Sequence, residues 1–443
     1  MVAPFASLVL LVVAGCGGQV TPPPAPELFS PPPRVWDSGA LVDLRSAADI
    51  AVAHGLTWPS DSLEEVARLE PLSVHDVEAA RRLDEVADQL FADLATAFAI
   101  GATDPAIVDS EWRIARPPAP DIEMLRSAVR DGAGVSQTLV SLLPTSPEYA
   151  ALVAELARVR TSPNGEVQSP GPTNFEREAR LRATLERWRW LPRNLPARRI
   201  EVLAPFFELR MRQGELSVTH VTIVGARRTQ TPSFIAAIET ITLNPTWTPP
   251  SSIMERELIP RFRRDPDAVT RENFDVLDSS GRTVEPATVD WRARPFPYTL
   301  RQRPGPSNAL GRLRFDLPNP YAVFLHDTPS RSLFARADRA LSHGCIRVAE
   351  PVALATMALG DAAWDQAAIE AAIDNGATQT IALASPLPIY VLYVTAAADS
   401  IVEVRYADDI YGRDVAILRA LDRSSAVGQR GARAWSQSEC SMM

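Results

Sequence analysis

Ser342-His343-Gly344-Cys345-Ile346-Arg347 sets a lone cysteine beside a histidine, with an arginine two residues on. Upstream, Tyr321-Ala322-Val323-Phe324-Leu325-His326-Asp327-Thr328-Pro329 is an apolar β-type run that delivers His326 to the start of a turn. His326 and Cys345 are therefore a candidate dyad. A free thiol with a pKa of ~8.5 is mostly protonated at neutral pH, so a neighbouring imidazole must take its proton before it attacks. A glycine lets backbone amides approach a developing negative oxygen, which makes the N–H groups of Gly344 and Cys345 the expected oxyanion hole. Taken singly, the cysteine reads as a small buried hydrophobe and the histidine as a core residue; together they read as acyl transfer.

Composition removes several rivals. All 45 basic residues are arginine. Without lysine there is no Schiff base, no Ser-x-x-Lys acyltransferase and no phosphate-binding P-loop. The five histidines form no His-Glu-x-x-His, no Cys-x-x-Cys occurs, and His326 with His343 is the only plausible ligand pair, so neither a metal nor a cofactor is expected. A net charge of −9 without a basic and aromatic binding motif argues against nucleic acid as a partner.

Residues 6–14 are an apolar run too short to span a bilayer as a helix, ending in Val13-Ala14-Gly15-Cys16-Gly17. This ending resembles a lipoprotein signal over 1–16, with Cys16 as the lipidated residue, although residues 1–5 carry no Lys or Arg. The expectation is a lipoprotein of the cell envelope facing the periplasm, and Gly17 favours the outer membrane slightly over the inner. Residues 17–35, with Pro22-Pro23-Pro24 and Pro31-Pro32-Pro33, read as an extended spacer. Residues 36–160 read as helical: Leu83, Val86, Leu90, Leu94 and Phe98 recur at three- and four-residue spacing, with Ser73 as the expected N-cap. Residues 161–180 read as a linker, and strands are expected at 200–203, 206–211, 216–224, 313–315, 322–325, 378–383, 389–394 and 402–404. An arginine- and proline-dense insertion at about 250–306, with a helix at 255–264, has the makings of a lid or of a solvated charged surface. Residues 426–443, holding Cys440, form a polar tail.

His326, fifteen intervening residues and then Ser-His-Gly-Cys-Ile-Arg resembles the signature of the YkuD-type L,D-transpeptidases. Glu186-Arg187-Trp188-Arg189-Trp190-Leu191-Pro192, Asn244-Pro245-Thr246-Trp247-Thr248-Pro249-Pro250, Phe262-Arg263-Arg264-Asp265-Pro266, Val289-Asp290-Trp291, Arg301-Gln302-Arg303-Pro304-Gly305-Pro306 and Ala309-Leu310-Gly311 resemble the YcbB-like branch. The resemblance covers roughly 180–420. It implies an α+β chain: a helical scaffold domain, then a β-rich catalytic domain over 181–425 with the insertion as a capping subdomain. The short interval between Arg160 and Glu186 leaves no room for the peptidoglycan-binding module that many such enzymes carry there.

The same resemblance implies a chemistry. Cys345 would attack a peptidoglycan tetrapeptide donor stem, release D-alanine and hold a thioester that an amine on an acceptor stem resolves into a 3→3 cross-link. His326 would be the general base, His343 an assisting residue, and Ser342, Arg347 and Trp247 substrate contacts. An L,D-carboxypeptidase, a D-amino-acid exchange enzyme and a cysteine peptidase share the dyad and differ in acceptor. A catalytically silent wall-binding lipoprotein is the reading outside enzymology.

Overall fold

The computed structural model describes residues 35–58, 60–162, 171–214, 216–399 and 403–423. The signal run, Cys16, nearly all of the spacer, residues 163–170 of the linker, the polar tail and Cys440 lie outside these residues.

The N-terminal part is helical, as its periodicity predicts. Its longest helix, Val77–Ile100, buries Leu83, Val86, Leu90, Phe91, Leu94 and Phe98 along one stripe. Asp76 is its N-cap, accepting from the amides of Glu78 and Ala79, whereas Ser73, the expected cap, donates its hydroxyl to the Glu70 carbonyl at the end of the preceding helix. Gly101 ends the helix at φ +87°, and a Cβ there would lie 2.6 Å from Trp190 Nε1. The stop is thus also a point of close approach for the helix Asn174–Trp190, which a Thr173–Glu176 capping box starts.

After residue 197 the pattern changes to strands: β1 Arg198–Leu203, β2 Glu208–Gln213, β3 Leu216–Gly225, β4 Phe234–Leu243, β5 Phe274–Leu277, β6 Thr283–Val284, β7 Thr299–Gln302, β8 Leu313–Asp316, β9 Leu325–His326, β10 Ala340–Ser342, β11 Ile346–Val348, β12 Gln379–Leu392, β13 Ala396–Asp399 and β14 Glu403–Tyr406. The main sheet runs β10-β3-β11-β9-β8-β4-β12-β1-β2, and β2 also pairs with β3. That last pairing closes eight strands into a ring and leaves β10 as an appendage on β3. Ile200, Met211, Phe234, Ile241, Phe315, Leu325 and Ile346 fill the interior, against the helices Pro351–Leu359 and Gln366–Asp374.

Three strand expectations change. Residues 322–325 are not a strand: Asn319 gathers the amides of Tyr321 and Val323, Ala322 turns to φ +53°, and only Leu325–His326 enters the sheet. The runs at 378–383 and 389–394 belong largely to one strand, β12, broken by a register shift between Ala382 and Leu387. Strands β4, β10 and β11 of the main sheet were not anticipated: Ala236, Ala237 and Glu239 interrupt the apolar alternation of β4, and β10 and β11 are only three residues long.

The insertion is folded. The chain from 251 to 264 is a helix with a π turn at Met254–Leu258, and β6-β5-β7 form a small sheet. Leu258, Phe262, Val269, Phe274, Val276, Trp291 and Leu300 give it a core of its own, which the solvated-surface alternative does not require.

The helical part and the ring share one continuous core. Leu90, Phe98, Leu152 and Leu185 join Leu203, Leu392, Val394 and Ala396 from the strand ends. Charged groups are buried with them: Glu186 pairs with Arg189 and accepts from Thr103, and Arg187 bonds Asp414 at 2.5 Å with Asp109 at 3.8 Å. The Glu-Arg-Trp-Arg-Trp stretch therefore works as a joint between the two parts.

Candidate active site

Strand β9 is two residues long, held between β8 and β11. His326 faces Arg314 in the antiparallel pairing and Arg347 in the parallel one. This places the imidazole inside the sheet, 4% exposed. Its Nδ1 lies 2.5 Å from the Asp327 carbonyl. A carbonyl only accepts, so Nδ1 carries the proton and Nε2 is left as the ring's basic nitrogen. Burial first, then the Arg347 charge, depresses the imidazole pKa to about 4, so the ring is neutral at pH 7.

Asp327 locks this arrangement. Its carboxylate takes the Arg312 amide at 2.8 Å and the Arg331 guanidinium at 2.7 Å, and its amide donates to the Leu313 carbonyl. Gly311, at φ +64°, makes room for it, since a Cβ there would sit 2.5 Å from the Asp327 carboxyl carbon.

Cys345 stands just before β11, half-buried, with Sγ 3.8 Å from the Ala322 carbonyl. Among the described residues it is the free cysteine. Burial pushes its thiol pKa up, opposed by the Phe324 backbone and the Arg347 charge. Cysteine and histidine thus each rest neutral, not as thiolate and imidazolium, and no hydrogen bond joins Sγ to the imidazole among the described residues. The expected consequence is slow alkylation by iodoacetamide at neutral pH, with a rate still rising above about pH 9. A plateau below about pH 7 in the rate profile would contradict this resting state.

The turn that holds Cys345 is internally braced. Ser342, 2% exposed, donates to the Cys345 carbonyl at 2.5 Å and accepts from the Gly344 amide at 3.1 Å. Ser342, expected as a substrate contact, instead has its hydroxyl committed within the turn. The Gly344 amide is likewise occupied, whereas the Cys345 amide makes no hydrogen bond among the described residues. Of the two expected oxyanion donors, Cys345 N–H is the open one. Gly344 is required by its φ of +114°, not by crowding, because its nearest neighbours to a Cβ lie at 3.8 Å.

The remaining expected residues disperse. His343 turns outward, with Nε2 2.7 Å from Glu257 on the π turn of the insertion. This contact joins the insertion to the turn that holds Cys345. Trp247 pairs through its backbone with Gln302, and its ring meets Phe274 in the insertion's core, which places it at the root of the cap. Arg347 is half-buried beside His326, and its buried Nε has no hydrogen-bond partner.

Residues 226–233, which grip the turn from beneath, escaped the sequence reading because polar loops give no periodicity. No group of His, Cys, Asp and Glu suited to a metal occurs among the described residues, nor any helix long and apolar enough to cross a membrane. What the arrangement can do is nucleophilic acyl transfer: a thiol and a free amide stand at one turn, and a neutral base lies on β9, the strand paired with the β11 that follows that turn.

Comparison with known proteins agrees with the geometry. The family model for the L,D-transpeptidase catalytic domain matches residues 197–369, and that for the scaffold domain matches residues 35–156. A Haemophilus influenzae protein named "Putative L,D-transpeptidase" is 36% identical over 218 residues, covering 48% of this chain and 44% of that relative. The chain therefore spans less than half the length of that curated relative.

Proposed function

The chain belongs to the L,D-transpeptidase family, and we propose that it forms 3→3 cross-links in peptidoglycan through a thioester on Cys345. The observation that supports this reading is the parallel pairing of β9 and β11, which brings His326, its Nδ1 fixed on the Asp327 carbonyl, onto the strand beside the one that Cys345 precedes. Cys345 Sγ attacks the carbonyl carbon of the amide between the third residue of the donor stem and its terminal D-alanine, as His326 Nε2 takes the thiol proton. The oxygen, now negative, meets the Cys345 amide. Collapse expels D-alanine, whose nitrogen leaves with the proton from His326. The acceptor amine then attacks the thioester, gives a proton to His326, and the departing sulfur recovers it.

The neutral resting states of the two groups suit this order. A base with a pKa of about 4 is unprotonated across the neutral range, and the thiolate forms only as the bond to carbon forms. Arg347, half-buried beside His326, is proposed to meet a stem carboxylate through its guanidinium. Work at the envelope surface, tethered through a lipid on Cys16, completes the proposal; retention of Cys16→Ala in the membrane fraction would remove the tether.

The deciding experiment incubates purified disaccharide-tetrapeptide with the chain and with Cys345→Ala, followed by mass spectrometry. A dimer retaining one D-alanine, absent with the variant, is the expected result. Monomeric tripeptide alone would identify a carboxypeptidase, and no product under reducing conditions would favour the silent wall-binding reading.

A further inference from the structure

We infer that Thr231 is a positioning residue for the oxyanion donor, a role that deepens the acyl-transfer reading above and rests on it. Thr231 is 1% exposed and belongs to none of the motifs that mark the site. Its Oγ1 donates to the Gly344 carbonyl at 2.8 Å and accepts from the Gly225 amide at 2.8 Å. The Gly344 carbonyl and the Cys345 N–H belong to one planar trans peptide, so they point in opposite directions. Anchoring the oxygen on Thr231 aims the N–H away from the loop.

An external anchor is needed because Gly344 supplies the local freedom. Glycine at φ +114° has no Cβ to restrict rotation of the following peptide plane. The Gly344 amide is held by Ser342, so the far side of the residue is already fixed. Thr231 fixes the near side, the one that carries the open donor.

The loop bearing Thr231 is itself rigidly seated. The Ser342 carbonyl accepts from the Ala226 amide at 2.8 Å and from Thr229 Oγ1 at 2.9 Å. At Gly225 a Cβ would meet the Thr229 carbonyl oxygen at 2.1 Å, so this turn closes only around glycine. Arg413, against the stacked rings of Tyr393 and Tyr411, donates to Gln230 Oε1 and, at 3.1 Å, to the Thr231 carbonyl. Tyr411 donates to the Gly225 carbonyl at 2.6 Å. Ser233 exchanges backbone bonds with Glu111 and Arg113 of the helical part. The scaffold therefore reaches the catalytic turn through residues 231–233.

The test separates two reactions of one thiol in the full chain, each read by mass at the peptide containing Cys345. Acetylation by p-nitrophenyl acetate forms the sulfur–carbonyl bond, sends the thiol proton to His326, expels p-nitrophenolate and passes through an oxyanion. Alkylation by iodoacetamide displaces iodide and has no oxyanion. Thr231→Val is expected to slow acetylation at least about tenfold while alkylation stays within about threefold of the unmodified chain. Thr231→Ser should restore acetylation to within about threefold. Thr229→Val, which leaves the 344–345 peptide anchored, should change neither by more than about threefold. Thr231→Ala serves in place of the valine if that variant does not fold.

Equal losses in both reactions, a serine variant as slow as the valine, or no loss at all would overturn the inference. So would the absence of any Cys345 acetylation in the unmodified chain. Failure of the chain to cross-link stems would leave this test intact, because neither probe contains peptidoglycan.

Discussion

His326→Ala is expected to lower the single-turnover rate of thioester formation by about three orders of magnitude, within the range that a positioned general base supplies. The argument runs from the strand outward. Leu325–His326 is pinned between β8 and β11, the Asp327 carbonyl holds Nδ1, and burial keeps the ring neutral. With the thiol pKa raised as well, no thiolate is stored at rest, so removing the base removes the route to one. His343→Ala is expected to cost less than about tenfold, because its imidazole bonds Glu257 on the cap and stands 47% exposed. Rates of mass gain on Cys345 with a stem donor measure both. A larger loss for His343 than for His326 would mean that the base is wrongly assigned.

Arg187→Met should destabilise the fold by about 3–5 kcal/mol, read as a drop in thermal or denaturant midpoint. Arg187 is fully buried between the helical part and the C-terminal segment, bonded to Asp414 and near Asp109, with its guanidinium over the Tyr393 ring. Its Nε and Nη2 have no hydrogen-bond partner, so the net gain from the cluster over an apolar joint is small. Breaking it is another matter, since methionine would leave the Asp414 carboxylate buried without its cation and Asp109 with Arg413 alone, at 3.8 Å. Adding Asp414→Asn to Arg187→Met should recover part of the loss. A single-variant cost under about 1 kcal/mol, or no recovery in the double variant, would show that the joint depends on apolar packing alone.

The candidate chemistry could be read from the chain because it resides in residue types at short spacing. Cysteine, glycine and histidine in one turn, with a second histidine upstream across fifteen intervening residues, need no fold to be recognised. The helical part was legible through its stripe, and most of the ring through alternation. Strand β4 was not, since two alanines and Glu239 carry no period-two signal and its place comes from pairing with β8 and β12. The N-cap moved from Ser73 to Asp76 because either residue type can cap, and only the path of the chain selects between them.

Residue identity alone settled that acyl transfer by a thiol was available and lysine-based chemistry was not. Tertiary structure settled which groups are free to act. Ser342 and the Gly344 amide are spent on the turn, His343 faces the cap, and Thr231 and Arg413 reach the site from distant segments. The reason is physical: the kind of reaction follows from functional groups, which are local and written in the chain. Whether a donor is open, a ring is neutral or a peptide plane is held depends on burial and on hydrogen bonds, some within the turn and some, as from Thr231 and Arg413, between residues more than a hundred positions apart, all of which only folding sets.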